Sequence, residues 1–286
     1  SSGSGTKELT FVYTVGSDHN SAKLDMDSSS IIDLNGGTIK DVSSNLNAAV
    51  LDLSDFLGDL AVAAVKVDTV APSITAAETA DDDGDGRIDR IHVIFDEPID
   101  GDDPANPLST ADFQVTGYTM AGVDDDGDGA DNETIGLSMI EGGYDTEATP
   151  DVISQVNGIS DLAGNTRTDA QTFAATVDKA APVIRLIETV DSNVHGEPRH
   201  GFIDRLKVSF SEPVNASSMI LGSFSVNTGS VSAVSDDGTP LDDTVHVHLT
   251  DEALLTDIEP HLTVQTGGIT DFADVPNTNQ LLSAVP

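Results

Sequence analysis

Along most of the chain apolar residues recur at every second position in short runs, and each run stops at Gly, Asn, Asp or Pro. A period of two puts one face of a β-strand against a core and the other toward solvent. Leu9, Phe11, Tyr13 and Val15 make such a run around Thr10, Val12 and Thr14, although Val12 blurs the outer face. Ile91, Val93 and Phe95 make a second, Leu206, Val208 and Phe210 a third, and Val245, Val247 and Leu249 a fourth. Short strands broken by turn residues predict antiparallel sheets packed as a sandwich, not a parallel sheet with crossover helices. Helix is expected only as brief turns, near 109–113 and 216–224.

The pattern repeats at long range. Val67-Asp-Thr-Val-Ala-Pro72-Ser-Ile74 returns as Val177-Asp-Lys-Ala-Ala-Pro182-Val-Ile184, an offset of 110 residues. Ile88-Asp-Arg90 returns as Ile203-Asp-Arg205, Phe95-Asp-Glu-Pro-Ile99 as Phe210-Ser-Glu-Pro-Val214, and Phe113-Gln-Val115 as Phe224-Ser-Val226. A later segment occurs three times, as Gly37-Thr-Ile-Lys-Asp41, Gly158-Ile-Ser-Asp161 and Gly268-Ile-Thr-Asp271. A fixed period marks a tandem array of one structural unit. The boundaries it sets are 1–70, carrying only the late part of a unit plus a linker, then 71–180 and 181–286 as whole units. Pro72 and Pro182 open the whole units, where an edge strand tolerates a missing N–H.

Charge changes the picture. The chain of 286 residues has 50 acidic and 12 basic residues, a formal charge of -38. Self-repulsion on that scale opposes compaction. The hydrophobic fraction of 38% and the regular alternation argue against a disordered chain. A salt-adapted surface and a set of divalent-cation sites remain, and the two can coexist. Nucleic acid and anionic membranes are excluded as partners, because both reward Lys and Arg clusters that this sequence lacks. No run of about 20 apolar residues predicts membrane insertion. With no Cys, neither disulfides nor Cys-ligated zinc can brace the units, which leaves calcium.

Asp81-Asp-Asp-Gly-Asp-Gly-Arg-Ile-Asp89 fits the first nine positions of a calcium loop: oxygen donors at alternate residues, Gly at the sharp turn, then an apolar residue that packs inward. Asp81, Asp83, Asp85 and Asp89 are the expected ligands. The twelfth position is His92 instead of a bidentate Glu, so the loop is not a complete EF-hand. The pattern recurs from Asp124 to Glu133, with Asp124, Asp126 and Asp128 as ligands and Asp131, Asn132 or Glu133 closing the shell. The alternative at both places is a solvated acidic turn. In the last unit the corresponding loops, Asp191 to Glu197 and Asp236 to Gly238, are depleted of Asp and less suited to calcium. A third class of site is expected at the linkers, where Asp68 and Asp178 can meet Asp41, Asn45, Asp161 or Asn165 of the preceding unit; the alternative there is Asx-type turn capping. Glu97 and Glu212, each before a Pro, are further candidates for such a junction.

With these residues in place, the chain resembles the bacterial Ig-like repeats of surface-layer proteins, large adhesins and other secreted multidomain proteins. The resemblance is carried by Phe95-Asp-Glu-Pro-Ile99 and Phe210-Ser-Glu-Pro-Val214, by the Phe-x-Val segments, by the Val67 to Pro72 linker and by Asp161-Leu-Ala-Gly-Asn165. The opening segment is similar to a related repeat type through Leu9 to Val15 and Leu34 to Asp41. Ser43-Ser-Asn45 and Ala273-Asp-Val275 depart from the Ala-Gly-Asn turn. The acidic loops look closer to those of thrombospondin-type repeats than to an EF-hand. What the resemblance implies is an all-β chain of tandem immunoglobulin-like β-sandwich modules, the first incomplete at its N-terminus. It further implies an extracellular, cell-surface location, partners that are neighbouring modules or copies of the same protein, and no catalysis. A glycan- or protein-binding accessory module is the competing reading.

Sequence motifs for catalysis are missing. His246 and His248 alternate with inward Val245, Val247 and Leu249, so they are expected as an exposed, solvated pair. Ser and Gly at the N-terminus lack the strand-turn-helix setting of a nucleophile elbow. With no Trp and 4% aromatics a sugar-stacking platform is weakly supported. Asn132 and Asn215 lie in glycosylation sequons.

Overall fold

The computed structural model describes residues 6–10, 12–24, 32–56, 65–101, 104, 106–126, 133–174, 176–191, 201–236, 242–250, 257–284 and 286. The chain divides into two compact units, one of Ser1–Ala71 with Ala163–Asn165, the other of Pro72–Leu162 with Thr166–Pro286. Among the described residues regular structure is almost wholly β; helix is confined to 3-10 turns, at Ser54–Phe56, Thr110–Asp112, Ala216–Ser218 and Leu221–Ser223. None of these is long and apolar enough to cross a membrane.

Among its described residues the larger unit holds fourteen strands in two lobes. In the N-terminal lobe β1 (Ile74–Ala80), β2 (Arg90–Phe95), β5 (Thr134–Met139) and β4 (Met120–Asp124) form one antiparallel sheet in that order, and β3 (Phe113–Val115), β6 (Val152–Ser154) and β7 (Gln171–Phe173) form another. The C-terminal lobe repeats this arrangement: β8 (Ile184–Val190), β9 (Arg205–Phe210), β12 (Thr244–Leu249) and β11 (Val231–Ser235) face β10 (Phe224–Val226), β13 (Leu262–Val264) and β14 (Leu282–Ala284). Irregularities repeat as well. β1 shifts register between Ile74 and Ala76, and β8 between Ile184 and Leu186, again 110 residues on. Bulges at matching positions bend matching edges, so the likeness extends to backbone detail.

Each lobe has its own core, built from the inward-facing residues of both its sheets. Ile91, Val93 and Phe95 meet Ile135, Leu137, Phe113, Val115 and Val152 in one; Leu206, Val208 and Phe210 meet Val245, Val247, Phe224, Leu262 and Val264 in the other. Burying each such side chain contributes about 1.5–3 kcal/mol. The period-two runs of β2, β9 and β12 therefore point where the sequence put them. The 3-10 turn at Thr110–Asp112 is started by Ser109, whose hydroxyl accepts from Ala111 N–H while Asp112 accepts from Ser109 N–H, a capping box.

The run Leu9–Val15 behaves differently. Its described residues form no strand, and Leu9, Val12, Tyr13 and Val15 are exposed. Alternation yields a strand only where a partner strand and a covering layer take up the hydrogen bonds and the apolar face. In the smaller unit, described pairing amounts to single bridges, Ser21 with Val67 and Lys40 with Ala48. Tyr13 stacks on the His19 ring, centroids 5.4 Å apart, and Thr69 is tied to Asn20 and Ser17.

Candidate metal centres

The loop between β1 and β2 is organised by its own aspartates. Asp81 accepts from three backbone N–H groups, those of Gly84, Asp85 and Gly86, at 2.8 to 3.1 Å. Asp83 accepts from Asp85 N–H, and Asp89 from Asp82 N–H. These bonds turn the side chains inward, and one oxygen each from Asp81, Asp83 and Asp85 lies within 4.8 Å of the others. Asp83 and Asp89 form a second such group with Glu141, a ligand candidate that its distance in sequence concealed. Burial lifts Asp81 above the usual carboxylate range, against the pull of its N–H donors. Burial also lifts Asp89, and the charges of Asp82 and Asp83 add to it. Ile88 follows the loop into the core, fully buried, and its N–H is held by Asp145, which also accepts from the Tyr118 hydroxyl.

This loop borders the second lobe. A cleft of about 320 Å³ is lined by Asp81, Asp82 and Asp83 on one side and by Ala181, Pro182 and Leu282 on another. Gly86 has φ +92, and a Cβ there would lie 3.0 Å from both the Ser211 Cβ and the Tyr144 ring, so glycine is required for conformation and for closeness. Arg87 and Arg185 flank the Tyr144 ring at 4.9 and 5.9 Å.

In the second acidic loop Asp124 and Asp126 already have a cation. The Arg90 guanidinium forks onto both, 2.8 Å from Asp126 Oδ1, and lies 4.0 Å from Asp82. His92, the residue in the twelfth loop position, bonds Asp126 through Nδ1 at 2.7 Å. Burial pushes the Asp124 carboxyl up, but the Arg90 contacts outweigh it and leave the group below its ordinary value. Glu133 sits at the start of β5, its carbonyl accepting from Phe95 N–H. Asp128 lies outside the described residues, as do Asn132, 192–200 and 237–241.

Among the described residues, the most buried acidic grouping lies where the connector meets the second lobe. Asp178, Glu212 and Asp271 place one carboxyl oxygen each within 4.8 Å of the others, and Glu212 and Asp271 are buried. Asp178 thus groups with residues of the following lobe, whereas the sequence had suggested Asp161 and Asn165 of the preceding one. The partner missed was Asn277: its side-chain amide donates to Asp271 Oδ2 at 2.8 Å and to Asp178 Oδ1 at 3.2 Å. Asp41 and Asn47 make the same pair at 2.9 Å, so the readable signal was Asp followed six residues later by Asn. The turn capping around them is of the Asx type, with Asp41 accepting from Ser43 and Asn47 N–H, and Asp271 from Ala273 and Asn277 N–H. Burial raises Asp178 to about 7, helped by the negative charge of Asp271. Burial raises Glu212 to about 9; a Thr146 hydrogen bond opposes this, and the charges of Asp178, Asp271 and Glu147 reinforce it.

Asn45 is exposed, and Asp68, also exposed, caps Val70 N–H. Asp161 is buried and bridged to Ile99, and Asn165 is half-buried. The histidine pair is a correction. His246 is buried, and only His248 remains partly open, because Arg205 and Lys207 on neighbouring β9 lie opposite them in the ladder and cover that face. Arg205 reaches His246 Nδ1 at 3.4 Å, and Ser235 meets His248 Nε2 at 2.9 Å.

No protein-family profile matches the chain. Over 127 residues, 42% of its length, it is 29% identical to an outer cell wall protein of Brevibacillus brevis. The match spans 12% of that protein's length.

Proposed function

We propose that the chain is a non-enzymatic structural segment of an extracellular cell-surface protein, its two lobes being immunoglobulin-like modules braced by calcium. The observation that carries this reading is the similarity to an outer cell wall protein over a stretch longer than one repeat. Two lobes of one topology, coupled through a close-packed joint, suit a spacer or lattice unit whose partners are further modules or copies of itself. The convergence of Asp81, Asp83 and Asp85, with Asp83 also grouped with Asp89 and Glu141, supports calcium in the first acidic loop, because hard oxygen donors match its coordination chemistry. Asp124 and Asp126 are better read as the counter-ions of Arg90, so of the two acidic loops only the first is assigned calcium.

The surface location is tested with an antibody raised against the chain. Intact cells of the source organism should be labelled without permeabilisation. Labelling that appears only after lysis contradicts the reading.

A further inference from the structure

The joint between the lobes contains a carboxyl group that its protein surroundings do not satisfy. Glu212 lies two residues past the end of β9, between the buried Phe210 and Val214. It is 2 % exposed. Thr146 donates to its carboxyl group, but the Oε1 atom has no hydrogen-bond partner. A carboxyl oxygen withdrawn from water without a donor is unfavourable, and more so beside like charges. The charged groups acting most strongly on Glu212 are all acidic: Asp178, Asp271 and Glu147.

The neighbouring carboxylates are held ready. Asp178 Oδ1 accepts from Ala180 N–H, Asp271 Oδ1 from Ala273 and Asn277 N–H, and the Asn277 amide spans the two. Each keeps lone pairs for a further partner, since a carboxylate offers about four acceptor sites. The three oxygens lie within 4.8 Å of one another. Oxygens that share a calcium ion at about 2.3–2.6 Å stand no more than about 5.2 Å apart, so the three are close enough for one ion. A cleft of about 430 Å³, lined by Glu147, Asp178, Glu212 and Phe272, gives an ion a path from solvent and room for its waters.

We propose that Asp178, Glu212 and Asp271 form a calcium site that locks the connector to the second lobe, with Glu147 of the first lobe at its rim. The buried Glu212 carboxyl supplies one ligand, and the ion's charge offsets that of the cluster. The site stands apart from the 81–89 loop and from the cell-surface reading, and either can fail without it.

Isothermal titration of calcium into the chelator-stripped full chain tests it, using wild type, Glu212→Gln and the double variant Asp81→Asn/Asp83→Asn. Glu212→Gln should lose one calcium equivalent and keep the loop's; the loop variant should show the reverse. Unchanged stoichiometry and affinity in Glu212→Gln overturn the joint site, while an unchanged loop variant overturns only the loop assignment. Melting in chelator supplies a second readout. Glu212→Gln should melt above wild type there and gain less on adding calcium, because its neutral amide needs neither a proton nor a counter-ion to be buried. A variant that melts lower in both conditions contradicts the proposal by showing a purely structural glutamate. If circular dichroism shows Glu212→Gln unfolded, Asp271→Asn takes its place in both comparisons with the same outcomes.

Discussion

Thr146 and Ser211 share a buried hydrogen bond, hydroxyl to hydroxyl at 2.7 Å, that joins the two lobes across 65 residues of sequence. Ser211 also accepts from Val183 N–H at 3.0 Å, and Thr146 donates to Glu212, so one chain of hydrogen bonds runs from the start of the second lobe to its buried glutamate. Ser211→Ala breaks it at the centre and leaves the Val183 N–H without this acceptor. The expected cost is about 1–3 kcal/mol in urea unfolding. A change under a few tenths of a kcal/mol would mean that the joint contributes nothing to the fold.

Gly86 touches that chain from the other lobe. Gly86→Ala must adopt φ +92 and drive a methyl group against the Ser211 Cβ and the Tyr144 ring, each 3.0 Å away. The variant should lose about 1–3 kcal/mol. Amide hydrogen exchange should quicken at the joint first, in 84–88 and 144–146; unaltered exchange there contradicts the packing.

Asp81 organises the first loop through its own hydrogen bonds. Asp81→Ala removes the acceptor for three N–H groups and should cost about 1–3 kcal/mol even in chelator. Asp83→Ala, which releases a single N–H, should cost less. Equal effects of the two, by thermal unfolding in chelator, would refute the hierarchy.

Much of the fold could be read directly. Period-two alternation located β2, β9 and β12, and the 110-residue repeat anticipated two lobes of one topology. Leu9–Val15 shows the limit of that signal, since alternation says which face seeks burial and not whether a second layer exists to bury it. His246 misled for a related reason: an outward position on a central strand can be roofed by long neighbours such as Arg205. At the candidate sites, sequence spacing could group Asp81, Asp83 and Asp85 because they are local. It missed Glu141, Asn277 and the grouping of Asp178 with Glu212 and Asp271, whose oxygens meet only after distant segments fold together. It also passed over Arg90, one basic residue among many acids, which pairs with Asp124 and Asp126.

The raised groups at the joint set a pH dependence. Folded Glu212 keeps its proton to about pH 9 and Asp178 to about 7, while both release it near 4 when unfolded. Between those limits the unfolded chain binds fewer protons, so stability falls as pH rises. In chelator the urea midpoint should decline from about pH 5 to about pH 9. Calcium, taking the place of the protons, should flatten the decline. A chelator profile that is level or rises over this range contradicts the burial of Glu212.

Calorimetric melting of the full chain in saturating calcium and in chelator puts the cation-braced account to its most direct trial. A site occupied at about 100 times its dissociation constant contributes about 2.7 kcal/mol. In a unit of this size that corresponds to a rise in melting temperature of about 5–10 °C. The account predicts a rise of at least that size, reversed when chelator is added back; superimposable melts in the two buffers would contradict it.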